Sequence, residues 1–181
     1  MSEAGRGFFI FTESPKEVNY RSWRFEMLDQ FRKNFEYDFW ATQAMIAAME
    51  EMPQAPEKAV KIIAHISFAK NVWLARILGE DYSKITDPWP PYSMREGKEE
   101  LGRLDDKWKK YLTRLSEPDL KKTCSFTTTQ GTAYEQVLQD ILIHVVDHGT
   151  YHRGQLASLI HQGGGKRPNV GYIGFVRSQK P

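Results

Sequence analysis

The sequence predicts an all-α fold: a four-helix bundle with a small β element between the third and fourth helices and an extended C-terminal segment. Four long segments place apolar residues three and four positions apart, which is the spacing of one buried helix face. Prolines and glycines separate these segments, and no segment repeats another. A chain of 181 residues suits one domain, so the four helices are expected to bury their faces against one another.

Prolines and a glycine delimit the first two predicted helices. The first runs from near Ser22 to Met52, and Pro53 ends it because proline removes a backbone donor. The second opens at Pro56, since proline suits a first helical turn, and reaches Gly79, a common terminator. The apolar face of the first helix contains Phe31, Phe35, Phe39, Thr42, Ile46 and Met49.

The third helix is predicted to follow a crossing loop. Residues 87–92 contain three prolines and cannot continue a helix. Ser93 and Glu96 have the spacing of a capping box, in which each side chain bonds the other residue's backbone N–H. The apolar face of the third helix is then Leu101, Leu104, Trp108, Leu112 and Leu115.

The β element and the fourth helix occupy the next part of the chain. Residues 123–131 are rich in threonine and end on glycine, which favours a short strand or small hairpin. Thr132 and Glu135 form a second capping-box pattern, so the fourth helix is predicted to open there and to stop at residues 163–165. Residues 168–176 contain too much glycine for a helix and are expected to pack, extended, over one end of the bundle.

Composition excludes several classes of protein. The 25 Lys plus Arg nearly balance 23 Asp plus Glu, so a net charge of +2 gives no broad field for nucleic acid. One cysteine, Cys124, excludes an internal disulfide and a cysteine-rich zinc site. The apolar run at residues 8–11 is too short for a signal peptide or a membrane span. We expect a cytoplasmic protein with an N-terminal arm (residues 1–20) and one domain (residues 21–181), and no nucleic-acid or membrane partner.

Three histidines on the predicted fourth helix are candidate metal ligands. His144, His148 and His152 are four residues apart, so neighbours lie one above the other on the helix. The outer two are about 12 Å apart along the axis, too far to share one ion with the third. A bundle helix buries residues that are alternately three and four positions apart. His148 and His152 fall on that predicted buried line, whereas His144 lies beside it and is expected to flank the site. Buried polar groups without partners cost about 1–3 kcal/mol each, and a divalent cation would offset that cost.

Other polar residues have weaker patterns. His65 lies among apolar residues of the second helix and is the sole histidine able to approach from another helix, although a lone histidine there is typical of a hydrogen-bonded core residue. His161, near the terminating glycines, is expected at the surface. No catalytic residue is identified. The candidates for a general base are Asp38, Asp147 and Gln155, and Arg153 is expected to be ion-paired or solvated.

The chain resembles the DinB/YfiT-like proteins, a superfamily of metal-binding four-helix bundles. The resemblance covers the chain from about residue 30 and rests on YDFWATQAM at 37–45, HISFAKNVWLARILG at 65–79, TTTQGTAYEQ at 127–136, DHGTYHRGQL at 147–156 and NVGYIGFVR at 169–177. It implies that His65, His148 and His152 are the metal ligands. Thr42 and Lys70 depart from the family's usual Asn and acid. Trp40 and Trp73, which the resemblance also covers, are interpreted as core aromatics.

The resemblance also implies a chemistry. Three neutral histidines leave coordination positions open, as in catalytic sites, where the ion favours loss of a proton from water or a thiol. Related bundles include thiol-dependent S-transferases and a thiol-dependent isomerase. We expect one divalent ion, with Zn, Ni, Fe, Mn and Co not distinguished by the ligands. The expected partners are a small-molecule substrate with a low-molecular-weight thiol, and a second copy in a homodimer.

Two functions therefore remain open from the sequence. The first is a divalent-metal-dependent enzyme of the DinB type, acting on a small molecule as a thiol S-transferase or a hydrolase. The second is a metal-binding or stress-associated dimeric interaction protein without turnover. Access of a substrate to the open coordination positions discriminates between them.

Overall fold

A computed structural model describes residues 27–128 and 131–179. Its four long helices are α1 (Met27–Glu50), α2 (Glu57–Leu78), α3 (Met94–Arg114) and α4 (Leu138–Gln162). A short 3-10 helix (Glu117–Lys121) and two strands, β1 (Thr123–Thr127) and β2 (Ala133–Val137), lie between α3 and α4, and α5 (Tyr172–Ser178) follows α4. The predicted bundle with a small β element is confirmed. None of the described helices combines the length and apolarity that a membrane span requires.

The predicted N-terminal features cannot be compared with this structure. The arm at residues 1–20 and the predicted helix start near Ser22 lie outside the described residues.

The long helices pack as a four-cornered bundle. Helix α1 packs against α3 and α4, and α2 packs against the same two helices, so α1 and α2 lie at opposite corners. The core has two apolar clusters, one that includes Phe35 and Trp108 and another that includes Ile46 and Ile63. Between these clusters, α1, α2 and α4 contribute a group of polar side chains: Asp38, Thr42, His65, Ser67, Lys70, His148, His152 and Arg153. This set is called the polar layer below.

The helix ends follow the predicted signals. Pro56 precedes the first residue of α2, and Gly79 ends that helix with a φ of 66°, a left-handed conformation that glycine adopts without strain. Ser93 and Glu96 form the expected reciprocal capping box at the start of α3. Gly163 follows the last residue of α4. Local backbone chemistry therefore sets these boundaries.

The predicted capping box at residues 132–135 is wrong. Residues 133–137 form strand β2, which pairs antiparallel with β1 so that Phe126 lies opposite Tyr134. Helix α4 begins later, at Leu138, and Val137 at its N-cap makes no side-chain capping bond. The hairpin gives the backbone groups of β2 hydrogen-bond partners in β1, and this pairing outweighs the local helix-start pattern.

The predicted extended C-terminal segment is also partly wrong. Residues 165–171 have no regular structure, but residues 172–178 form α5 despite Gly174. Phe175 is only 2% exposed and packs near Tyr37 and Trp40 of α1, with ring centroids 5.7 and 5.6 Å away. Burial of this aromatic ring outweighs the poor helix propensity of glycine. The segment does pack against the bundle, but Phe175 contacts the middle of α1 rather than one end of the bundle.

Candidate metal centre

Helices α2 and α4 bring three histidines together in the polar layer. The ring nitrogens of His65, His148 and His152 that can bind a metal all lie within 4.8 Å of one another. The Nε2 atom of His148 lies 3.2 Å from Nε2 of His65 and 3.1 Å from Nε2 of His152. His148 and His152 are one turn apart on α4, and His65 approaches from the adjacent α2. The structure thus places the three predicted residues around one point.

Outer hydrogen bonds orient two of these rings. The Nδ1 atom of His65 lies 2.7 Å from the Pro88 carbonyl oxygen, and Nδ1 of His152 lies 2.9 Å from Oε1 of Gln155. Both partners are acceptors, so each Nδ1 carries the proton and donates. In the neutral rings, Nε2 of His65 and of His152 therefore presents a lone pair to the cluster.

The donor set fits a divalent cation. A proton on Nε2 of His148 can be donated to only one of the two neighbouring Nε2 atoms, so protein hydrogen bonds do not satisfy the cluster. A tetrahedral ion with metal–nitrogen distances of about 2.0–2.1 Å separates its ligand nitrogens by about 3.3 Å, close to the two short separations here. Three imidazoles leave at least one coordination position for another group. The donors suit several first-row metals and do not select one.

Burial favours the neutral form of two of the imidazoles. Burial, together with the neighbouring histidines, lowers the pKa of His148 from 6.5 to about 4, against an opposing effect of Asp38. Burial also lowers the pKa of His152, although its hydrogen bond to Gln155 raises it. Neutral imidazole is the form that binds metals, so proton competition at these two residues is weak at neutral pH.

Two exposed aromatic rings flank the cluster. The Trp89 ring stacks on His65 at a centroid distance of 4.2 Å, and the Tyr151 ring meets His152 edge to face at 5.1 Å. Trp89 and Tyr151 are 48% and 66% exposed. The sequence placed a crossing loop at residues 87–92 but gave no signal that Pro88 and Trp89 lie against His65, since that contact depends on the path of the loop.

The other histidines lie outside the cluster. The His144 ring packs 5.3 Å from Trp73 and 5.9 Å from His148, which agrees with its predicted flanking position. Burial lowers its pKa, against an opposing effect of Asp147. His161 is exposed in the last turn of α4. Trp40 and Trp73 are both half-buried, so the interpretation of them as core aromatics holds only in part.

The three candidates for a general base have different surroundings. Asp38 is fully buried and forms ion pairs with Lys70 and Arg153. Burial raises the pKa of Asp38, but the charges and hydrogen bonds of those two cations outweigh it and hold the pKa below its usual value. Asp147 is exposed, and Gln155 orients His152. Neither buried cation was predicted to meet Asp38, although an ion-paired Arg153 was expected.

The two departures from the family pattern lie in one network. The Thr42 hydroxyl donates to the Asp38 backbone carbonyl at 2.7 Å and lies 3.3 Å from Nη1 of Arg153. Lys70 is the α2 partner of the Asp38 carboxylate. These residues link α1, α2 and α4 within the polar layer, and α2 and α4 also carry the histidines.

Most of this chain is similar to known proteins. A family model described as the DinB family matches residues 27–181. The chain is 22% identical over 152 residues to Protein DinB of Bacillus subtilis (strain 168), covering 76% of this chain and 88% of that protein. A crystal structure of a DinB-like protein from Bacillus cereus ATCC 10987 is similar with a TM-score of 0.60 at 20% sequence identity, covering 78% of this chain and 95% of that one. The structural likeness shows the fold alone.

Proposed function

This chain belongs to the DinB family, and from that membership and its histidine cluster we propose that it is a divalent-metal-dependent enzyme that acts on a small molecule. The proposed reaction is thiol S-transfer or hydrolysis. A small-molecule substrate, a low-molecular-weight thiol, a homodimeric state and a cytoplasmic location belong to the same proposal. The observation that carries it is the convergence of three histidine nitrogens within 4.8 Å.

The ligand set favours a catalytic role over a structural one. A structural zinc site uses four protein ligands, whereas three histidines leave a position for a substrate. When bound, a divalent ion at this point supplies Lewis-acid chemistry that lowers the pKa of a bound water or thiol. The domain does not need the ion for a core, because two apolar clusters already occupy the bundle.

The surrounding residues have defined roles in this proposal. The Pro88 carbonyl and the Gln155 side chain accept the Nδ1 protons of His65 and His152 and keep each Nε2 available. Trp89 and Tyr151 flank the cluster from the loop and from α4 and are exposed, so a substrate that reaches the histidines contacts them.

A reaction screen on metal-loaded protein tests this function. Low-molecular-weight thiols are offered with a chromogenic aryl halide, and nitrophenyl esters are offered in parallel without thiol. We expect turnover by the wild type in one of the two series, and loss of at least about 100-fold in His148→Ala, since removal of a single catalytic group typically costs that much. His144→Ala is the matched control, because this neighbouring histidine lies outside the cluster.

Two results would contradict the proposal. The enzymatic role fails if no series shows turnover above that of His148→Ala, and the alternative of metal binding without turnover then gains support. The site assignment fails if purified His148→Ala retains the same stoichiometric metal as the wild type. Metal content of each variant is therefore measured on the same preparations.

A further inference from the structure

A cavity lies on the side of α4 that faces away from the histidines. It has a volume of about 390 Å³ and is bounded by α1, α4 and the segment at residues 167–170. Thr150, Gly154 and Ala157 line it from α4. At about 100° per residue these positions lie on the opposite side of the helix from His148 and His152. The cavity is therefore separate from the candidate metal centre.

The lining of this cavity is apolar with a positive component. Met45, Ala157 and Val170 provide apolar surface, and Arg153 and Arg167 are its two charged lining residues. No acidic side chain lines it within the described parts of the chain. This combination is complementary to a molecule with an apolar body and a negatively charged group.

The buried charges of the polar layer do not balance, although Arg153 pairs with Asp38. Among the residues that the structure describes, the buried charged side chains are Asp38, Lys70 and Arg153, so one carboxylate faces two cations. The Arg153 side chain is 3% exposed, and its guanidinium carbon lies 5.4 Å from the centre of the Tyr37 ring, which also lines the cavity. A buried charge requires a counter-charge, and the cavity is a place where one can reach this network.

Gly154 lines this cavity, and a side chain at that position would have room to enter it. Glycine weakens a helix interior and needs a local reason there. At Gly149 the reason is packing, because a Cβ would collide with the Asp38 carboxylate. A Cβ at Gly154 would meet nothing within 4 Å, so packing does not require glycine at that position. Since Gly154 lines the cavity, a longer side chain there would occupy the space.

We propose that this cavity binds a small amphipathic carboxylate. The carboxylate pairs with the guanidinium group of Arg167 and lies beside that of Arg153, and the apolar body lies on Met45, Ala157 and Val170. Arg153 already donates from Nη1 to Asp38 and from Nη2 to Thr150, so it contributes positive charge to the cavity rather than a free pair of donors. A monoanion is the appropriate ligand because the buried network has one positive charge in excess. The site works independently of the histidine cluster.

Calorimetric titration of the full chain with octanoate tests the proposal. The titration is made after treatment with a chelator, and octylamine and 1-octanol serve as probes of equal chain length with the opposite charge and with none. We expect saturable binding of one octanoate per chain and no saturable binding of the other two. His148→Ala is also expected to bind octanoate with the wild-type affinity. A failure of this proposal can therefore be distinguished from a failure of the proposed function.

Two variants locate the site without disturbing the charge network. Gly154→Leu fills the cavity and is expected to weaken octanoate at least about tenfold, whereas Gly102→Leu, at a helical glycine of α3 that also has open space, leaves it unchanged. Arg167→Ala is expected to weaken octanoate about two- to fivefold, as for an exposed ion pair, and Arg177→Ala is its control. Circular dichroism verifies that each variant is folded.

Three outcomes would overturn the proposal. They are the absence of saturable octanoate binding by the wild type, equal binding of octylamine, and wild-type affinity in folded Gly154→Leu. Selective loss of octanoate binding in Gly154→Leu and Arg167→Ala, with both controls unchanged, supports it.

Discussion

His148 lies at the centre of the histidine cluster, and its protonation links the site to folding. Its Nε2 atom is within 3.2 Å of the corresponding atoms of both partners. In the unfolded chain the imidazole takes up a proton as the pH falls below about 6.5, whereas in the folded metal-free protein its pKa is about 4. The unfolded state thus binds more protons between these two values.

This difference predicts a pH-dependent stability. The contribution of His148 is fully present above pH 6.5 and is lost as the pH falls towards 4, because protonation then favours the unfolded state. Urea unfolding of metal-free protein at pH 7.0 and pH 4.5 measures it. We expect a smaller pH-induced loss in the free energy of unfolding for His148→Gln than for the wild type. The exposed His161→Gln is the control, and an equal loss in all three proteins would contradict the pKa assigned to His148.

The sequence could predict some site residues and not others, for a geometric reason. The proximity of His148 and His152 could be predicted because helical spacing alone places them on one face. His65 required the resemblance, since its approach from α2 depends on how two helices pack. Pro88, Trp89 and the Asp38–Lys70 pair had no local signal, because each contact joins parts of the chain that are distant in sequence.

At the scale of elements, helix α5 depends on its packing. Its seven residues are too few for an isolated helix to be stable in water. Phe175 supplies the buried contact, at 2% exposure, against the aromatic rings of α1. The glycines of this segment predict no helix, and the helix forms because its stabilising contact is tertiary.

Removal of the Phe175 ring tests this explanation. Phe175→Ala is expected to lower the free energy of unfolding by about 3–5 kcal/mol, the range for deletion of a buried phenylalanine. Ile173→Ala, on the same helix but 60% exposed, is expected to change it by less than about 0.5 kcal/mol. Denaturant unfolding of both variants measures the difference. Similar values for the two would show that α5 does not depend on this burial.

The β hairpin also shows that tertiary or strand contacts can override a local sequence pattern. Thr132 and Glu135 match a capping box, and the match fails because Glu135 pairs with Ser125 in the hairpin while Thr132 bonds Thr128 in the turn. Ser93 and Glu96 match the same pattern and do form the box. A local motif therefore predicts an element boundary only where no strand competes for the backbone.

At the scale of the whole molecule, the polar layer connects three helices between two apolar clusters. Asp38 on α1 bonds Lys70 on α2 and Arg153 on α4, and α2 and α4 carry the histidines. Removal of the one carboxylate would leave two buried cations without a counter-charge. Such a loss is strongly unfavourable, whatever the net contribution of the intact network.

Asp38→Asn is therefore expected to lower the free energy of unfolding by about 3–5 kcal/mol. Asp29→Asn, which removes an exposed ion pair with Arg32 on the same helix, is expected to cost less than about 1 kcal/mol. If Asp38→Asn does not fold, the double variant with Lys70→Met tests the same idea, because it removes one of the two cations and should recover a folded protein. Equal costs for the two single variants would contradict the role of Asp38 as the common partner.

The central claim is that His65, His148 and His152 bind one divalent ion, and a metal titration tests it most directly. Chelator-treated protein is titrated with Co²⁺, and the visible absorption of the bound ion reports both affinity and ligand geometry. We predict one ion per chain in the wild type, His144→Ala and His161→Ala, and affinity lower by at least about 100-fold in each of the three cluster variants, since even outer partners of metal ligands contribute about 10–100-fold. Undiminished binding in a cluster variant, or an equal loss in His144→Ala, would contradict the account.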